Sequence, residues 1–456
     1  MQMRKMRAGA GHLLAGAAKV TITPPVGTHQ GGYALRRKLS KGIDRELYAR
    51  ALVLDDGRNK VGLVVADVVG LDDATVDEVR RLVGLEAGIP PQNLAVCFTH
   101  SHSAPGVGLG KNASDWCRVF PKLMAGAVSE AVRHLTRCRI GSAHGIVGGV
   151  SHDRTRKLGE GQPIDQEIVV LAAETMKGAP LAMLVNFACH PVVFGPSNLL
   201  ISPDYPGYLT EFLERAWGGT AIFVNGCCGD IDPIVNGIQW GSGDAKECRR
   251  VAQALGGEAL HAASRIEFRS DFRVGARRRR IELPIKAIRS SAQANAELRH
   301  AEEELARMIR KRVPKSGRWY AEHMLGWARS QAKLAEAGKR PRLWMGMQAL
   351  DLGPEVLVGI PGEVFCGIGI EIKRRLKEIR TMVGGYANGC LGYIPTRQAF
   401  RTGGYATNLA THLSNGTCMV SNVGDVIARR AISLARSVCR STGSKLKMEW
   451  QDARTK

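Results

Sequence analysis

The sequence predicts an α/β fold of mixed β-sheets flanked by helices, with the chemistry gathered at strand ends. Three observations carry this. Short apolar runs of strand length alternate with stretches of helical spacing through most of the chain. Several of those runs stop abruptly at polar, glycine-rich turns, as in "NLAVCFTHSHSAPG" and "AIFVNGCCGD". A long charged stretch near residues 289–338 keeps helical spacing and interrupts a strand-rich region, which predicts an inserted helical hairpin.

Taken in order, "ALVLDDGRNKVGLVVADVVG" predicts a hairpin whose two strands are joined at the polar "DDGRNK". "DDATVDEVRRLVGLEAG" predicts a helix, with an aspartate-rich start and a glycine stop. "NLAVCF" is strand-like, and "FPKLMAGAVSEAVRHL" is helical again. "APLAMLVNFACHP" and "GTAIFVNGCCGD" predict two more strands that run straight into polar turns. Within the helical hairpin, Glu303 and Arg307 are spaced for a supportive i,i+4 ion pair. A catalytic unit over 1–440 and a short polar tail over 441–456 are expected, with no internal repeat and no low-complexity linker between them.

At 456 residues the chain is long enough to bury one large core or two ordinary ones. With 44% hydrophobic and 23% charged residues it has the composition of an ordinary globular protein. It lacks an apolar run long enough to span a bilayer. The basic N-terminus is followed by a short, glycine-rich apolar portion broken by His12, a poor signal peptide. Eleven cysteines in no pairing pattern and without a C-x-x-C motif argue against a disulfide scaffold or zinc ribbon. Free thiols in a reducing cytoplasm are the expectation, with secretion left open. Sixty-four Lys+Arg against forty-two Asp+Glu give +22, with basic runs at "GARRRR" and "RMIRKR". Aromatic residues are only 5% and no recognition motif accompanies the charge, so weak attraction to anionic surfaces is expected, without specific nucleic-acid binding. "PGVGLGKNAS" resembles a phosphate loop but has Pro105 where the first glycine belongs.

The candidate site begins with "THSHSAPG". In an extended chain His100 and His102 share a face, so both imidazoles can turn toward one ion, or one can hold an ion while the other faces substrate. A polar strand end with two satisfied histidines is the alternative. Other strand ends deliver His190, then Asp230 and Asp232, then Glu363, then Tyr393 and Tyr405. Singly each has a plain structural role, as a core histidine, a turn cap or a helix N-terminal carboxylate. Together, opening into glycine-rich loops, they point to an active site.

These segments resemble, in order along nearly the whole chain, the catalytic domain of the neutral/alkaline (non-lysosomal) ceramidase family. "AGAAKVTITPPVGTHQGGYA", "GIDRELYARALVL", "VVADVVG", "THSHSAPG", "GGVSHDRTR", "NFACHP", "ISPDYPGY", "NGCCGDIDP", "IPGE" and "GYIPTRQAF" carry the resemblance. It implies one zinc ion per chain, held by His100, His190, Glu363 and Tyr393. It places His102, Arg154 and Tyr405 at the reacting centre. Asp204, in "ISPDYPGY", is suited to orienting a ligating histidine, with a purely structural carboxylate as the alternative. The implied activity is hydrolysis of an N-acyl amide such as ceramide by metal-activated water. A hydrolase of a small polar amide or ester on the same scaffold, and a non-catalytic binding protein that keeps the fold, are the alternatives. Two departures are visible. Where the family has Gly-Asp-Val-Ser-Pro this chain has "GDIDP", so Asp232 replaces a serine with a catalytic role. Asp232 is therefore expected either to act as a general base or polar-substrate partner, or to cap its turn. The family's C-terminal immunoglobulin-like domain is also not expected here.

Overall fold

The computed structural model of the chain describes residues 13–160, 164–287, 289–338, 341–408, 410 and 419–443. The basic N-terminal segment through His12 and the tail beyond residue 443 lie outside the described residues. The chain divides into two compact units: one formed by residues 1–279, 346–390 and 428–456, the other by 280–345 and 391–427.

The first unit is built on eight strands, numbered here in chain order: β1 (Leu14–Thr21), β2 (Tyr48–Asp55), β3 (Lys60–Ala66), β4 (Leu94–Phe98), β5 (Thr136–Ile146), β6 (Glu167–Thr175), β7 (Pro180–Phe187) and β8 (Thr220–Asn225). They form one sheet in the order β8-β7-β6-β5-β1-β2-β3-β4. The β3–β4 and β7–β8 pairs are parallel and the rest antiparallel, so the sheet is mixed. The expected hairpin is β2–β3, with Asp55 opposite Lys60 at the turn.

Period-two side-chain alternation explains why these strands read as continuous apolar runs: both faces are covered. Along β4, Leu94, Val96 and Phe98 enter a core with helices α1 (Asp73–Ala87) and α2 (Asp115–Arg133). Ala95 and Cys97 point the other way, into a core shared with Val169, Leu171, Leu184, Ile222 and Val224 of the other half of the sheet. On that half Ala221 and Phe223 pack beneath α3 (Tyr205–Ala216) and α4 (Ala245–Ala263). The sheet thus folds over on itself, with a pair of helices on each outer face. The fold brings the C-terminal ends of β4 and β8 together, where Asn225 donates to the Thr99 carbonyl at 3.0 Å.

A smaller sheet, in the order β9 (Gly275–Leu283), β10 (Leu343–Asp351), β11 (Val356–Gly359), β12 (Thr381–Gly384), adds Leu350, Leu357 and Met382 to the same inner core. β11 and β12 are parallel, and both open at their C-terminal ends into loops that carry site residues.

Local capping chemistry places the helices where the sequence predicts them. Asp72 caps α1 by accepting from the Thr75 N–H, and Gly88 ends it in the left-handed conformation. Helix α2 starts earlier than its apolar run because Ser114 accepts from the Cys117 N–H. In the second unit, α5 (Ser291–Arg310) and α6 (Lys315–Glu336) form the expected helical hairpin, with a capping box between Ser290 and Gln293. The anticipated Glu303–Arg307 pair is not the one made: Arg307 turns back to Glu304 at 2.5–3.0 Å. No described helix is long and apolar enough to cross a membrane, and every described cysteine is a free thiol.

Candidate metal centre

Each histidine is aimed by the loop that follows its strand. Beyond β4 the backbone turns sharply, with Thr99 N–H on the Ala66 carbonyl, His100 N–H on the Val68 carbonyl, and His100 itself at φ 69°. Such a conformation is costly for a side chain with a Cβ and persists only where the surroundings enforce it. The His100 Nδ1 lies 2.6 Å from the Val69 carbonyl. A carbonyl only accepts, so Nδ1 carries the hydrogen and the Nε2 lone pair faces the site. His190, just past β7, is treated identically: its Nδ1 donates to the Cys228 carbonyl at 2.5 Å. His102 is held by its own N–H on the Pro191 carbonyl and by Tyr33, whose ring meets the imidazole edge-on at 4.9 Å. Gly32, at φ 87°, allows that approach, since a Cβ there would lie 2.3 Å from the His102 ring.

Glu363 arrives from the loop after β11. The "GCCGD" turn is clamped against it, with Gly229 N–H on the Val364 carbonyl. Only glycine fits at 229, because a Cβ would stand 2.3 Å from the Glu363 carbonyl oxygen.

These residues converge. The Nε2 atoms of His100 and His102 are 3.2 Å apart, and donor atoms of His100, His102 and His190 all lie within 4.8 Å of one another. The Glu363 Oε2 is 3.3 Å from His190 Nε2 and 3.5 Å from His100 Nε2. Four donors placed tetrahedrally at zinc–ligand bond lengths stand about 3.3 Å from each other, so the spacing fits such an ion. The charge state fits as well. Burial holds the imidazoles of His102 and His190 below the ordinary histidine range, helped by His100 for the first and by Arg154 for the second. Neutral imidazole is the form that ligates. Burial alone would raise the Glu363 carboxyl, but its electrostatic and hydrogen-bonding contacts with His100 and His190 outweigh burial and keep Glu363 well below the usual carboxylate range. A cation bound between these imidazoles would favour the ionised carboxylate in the same direction.

Arg154 and Asp232 form an ion pair at 3.2 Å, and the Arg154 Nη2 also donates to the Gly229 carbonyl at 2.6 Å. Asp232 stands 4.0 Å from His190 Nδ1, the side of that ring opposite the converging donors. Asp230 accepts from the Cys366 N–H at 2.7 Å, and burial pushes its carboxyl up to about 7. Asp204 does not orient a histidine ring in the bonds it makes here. Its oxygens accept the N–H groups of Val193, Phe194 and Tyr205, which pins the loop after His190 to the start of α3. Tyr393 and Tyr405 belong to the second unit, where their rings meet edge-on at 5.7 Å, the first buried and the second exposed.

One site residue escapes a motif-based reading. Tyr386, two residues beyond β12, stacks on His100 with ring centroids 4.3 Å apart and 19° between planes. Its hydroxyl lies 3.4 Å from His190 Nε2 and 3.3 Å from Cys228 Sγ. The available signal was positional: "TMVGGY" repeats the pattern of an apolar strand opening into a glycine turn. A cavity of about 560 Å³ elsewhere, lined in part by Arg58, Lys60 and Arg277, contains none of these residues.

Fold and site define an α/β protein with a candidate histidine–carboxylate metal centre at the rim of a folded, helix-covered sheet. No protein-family model matches the chain. Neutral ceramidase of Drosophila melanogaster is 26% identical over 254 residues, covering 49% of this chain and 36% of that protein. Neutral ceramidase of Mycobacterium tuberculosis is 24% identical over 242 residues, covering 45% of this chain and 38% of that protein. The matched stretch is therefore little more than a third of the curated relatives' own length. The crystal structure of neutral ceramidase from Pseudomonas aeruginosa superposes with a TM-score of 0.71 at 20% identity, covering 95% of this chain and 75% of that one. The chain is similar to the neutral ceramidases in sequence over about half its length and in fold over nearly all of it.

Proposed function

We propose that this protein is a zinc-dependent amidohydrolase that cleaves the N-acyl amide of a ceramide-like substrate. The observation that carries the proposal is the convergence of His100, His190 and Glu363 at zinc-like spacing, on a fold shared with neutral ceramidase. In this reading those three residues hold one zinc ion per chain. Zinc bound there acts as a Lewis acid and lowers the pKa of its water to about 7.

The chain's own residues account for the remainder. The carbonyls of Val69 and Cys228 fix the tautomers of the two ligating histidines. His102, buried and neutral, accepts the proton released by the attacking water and returns it to the leaving amine. Arg154 balances the negative charge that develops on the carbonyl oxygen. Asp232 is assigned an orienting role. Its ion pair holds Arg154, and its place behind His190 keeps it off the side where the donors converge. Pairing also cancels the charge that a lone aspartate would present to an apolar amide. A small polar amide or ester is the second reading, favoured by the carboxylate at 232 where the family has a hydroxyl. A reducing, cytoplasmic setting is part of the proposal, on the ground that the eleven cysteines follow no pairing pattern in the sequence.

The test is a hydrolysis screen of N-acyl amides, from long-chain ceramide to short polar amides, with and without chelator. His100→Ala should lose both zinc and activity. His102→Ala should keep zinc while turnover falls on the order of a hundredfold or more. Equal zinc loss in both variants would make His102 a ligand, and turnover indifferent to chelator and to His100→Ala would overturn the metal mechanism.

A further inference from the structure

Among the described residues of the first unit, Tyr386 is the aromatic hydroxyl that reaches the converging donors, and its backbone explains why it stays there. Its N–H bonds the Gly362 carbonyl, next to Glu363, and its carbonyl accepts from Phe98 N–H, on the strand that delivers His100. One residue is thereby tied to the two segments that present Glu363 and His100. It does so at φ 54°, a left-handed conformation that a bulky side chain adopts only under constraint. The constraint fixes the ring flat on His100 and brings the hydroxyl 3.4 Å from His190 Nε2, on the lone-pair side of that imidazole.

That distance belongs to the same series as the separations of 3.3 and 3.5 Å from Glu363 to His190 and His100. All match the about 3.3 Å edge of a tetrahedron of donors around zinc. The neighbouring Cys228 thiol, 3.3 Å from the hydroxyl, can donate to it and leave an oxygen lone pair directed at the ion. Cys228 also provides the carbonyl that orients His190, so one residue supports both groups.

We infer that Tyr386, through its phenolic oxygen, is a donor to the metal in this protein, completing the set begun by His100, His190 and Glu363. The inference rests on the metal-centre reading above, but not on the identity of the substrate. It gives the centre an oxygen donor from the first unit, independent of Tyr393.

The experiment loads the purified full-length protein with Cu²⁺ alone and records visible absorption, since a phenolate oxygen on Cu²⁺ gives a charge-transfer band that imidazole and carboxylate donors do not. The band should be present in the unaltered protein and in Tyr393→Phe, and absent in Tyr386→Phe. Zinc affinity of Tyr386→Phe should fall on the order of tenfold, with its melting temperature checked to show that the fold survives. A band that persists in Tyr386→Phe, one that is missing from copper-loaded unaltered protein, or one lost only in Tyr393→Phe overturns the inference. Failure of the unaltered protein to take up metal overturns the metal centre as well. Metal uptake with the expected band but no amide hydrolysis would leave the donor assignment standing and remove the proposed reaction.

Discussion

His102 works in a space with no slack. Its ring is confined between Tyr33 and His100, and the backbone of Gly32 closes against it. Gly32→Ala would place a methyl 2.3 Å from the ring, and alanine at φ 87° adds strain of about 1–2 kcal/mol. The ring must therefore swing aside. Turnover should drop at least tenfold with zinc content unchanged, because none of the three assigned ligands moves. Assaying kcat/KM beside metal content checks this, and near-normal turnover would show that His102 position is not critical. The same scale explains the roles of the glycines flanking this chemistry: at 32 and 229 they admit backbone where any side chain would collide with a site residue.

At the scale of elements, the folded sheet is joined to the smaller sheet by a charged clamp. His144 on β5 is bonded through Nδ1 to Glu167 on β6 at 2.7 Å and through Nε2 to Glu355, in the turn between β10 and β11, at 2.8 Å. Arg380 and Ser142 also bond Glu355, whose side chain has 0% exposure, and Lys373 joins Glu167 to Asp165. Burial alone would lower the His144 pKa, but Glu355 and Glu167 raise it to about 9. The folded protein therefore binds this proton more tightly than the unfolded chain, whose histidine titrates near 6.5. The stabilisation is fully present below about pH 6.5 and is lost as pH rises through about 9. Denaturant unfolding should show stability falling on the order of 2 kcal/mol between pH 7 and pH 10. In His144→Gln that fall should be largely absent. An unchanged pH dependence in the variant would show that the clamp is not protonated in the folded state.

For the whole molecule the dominant quantity is charge. A net +22 on a chain with no membrane-crossing helix among its described residues predicts reversible attraction to anionic surfaces. Sedimentation with vesicles should show binding that grows with phosphatidylserine content. Raising ionic strength from about 0.05 M to 0.5 M should abolish it as the Debye length shrinks well below 10 Å. Binding to neutral vesicles that persists at high salt would point to apolar insertion instead. Such attraction would concentrate the protein where amide lipids reside, which suits the proposed substrate class.

Much of this was determined by local sequence alone. Continuous apolar runs of strand length located β2 through β4, β7 and β8, because strands covered on both faces are apolar throughout, and helical spacing located the α5–α6 hairpin. Asp72 and Gly88 announced the ends of α1 through capping chemistry. The residues of the candidate site were legible because each stands where a strand opens into a glycine-rich turn, a local feature shared by His100, His190 and Glu363. What the sequence could not specify was how those ends meet. Asp204 could be read as a histidine partner or as a structural carboxylate, and its bonds to backbone N–H groups make it the second; Asp232 sits behind His190, paired with Arg154. Tyr386 went unnoticed because its role depends on a stack with a residue nearly three hundred positions earlier. Spacing along a chain reports which face a side chain takes. Which partners it finds there depends on how the sheet folds over on itself, and that is decided by long-range packing of both its faces at once.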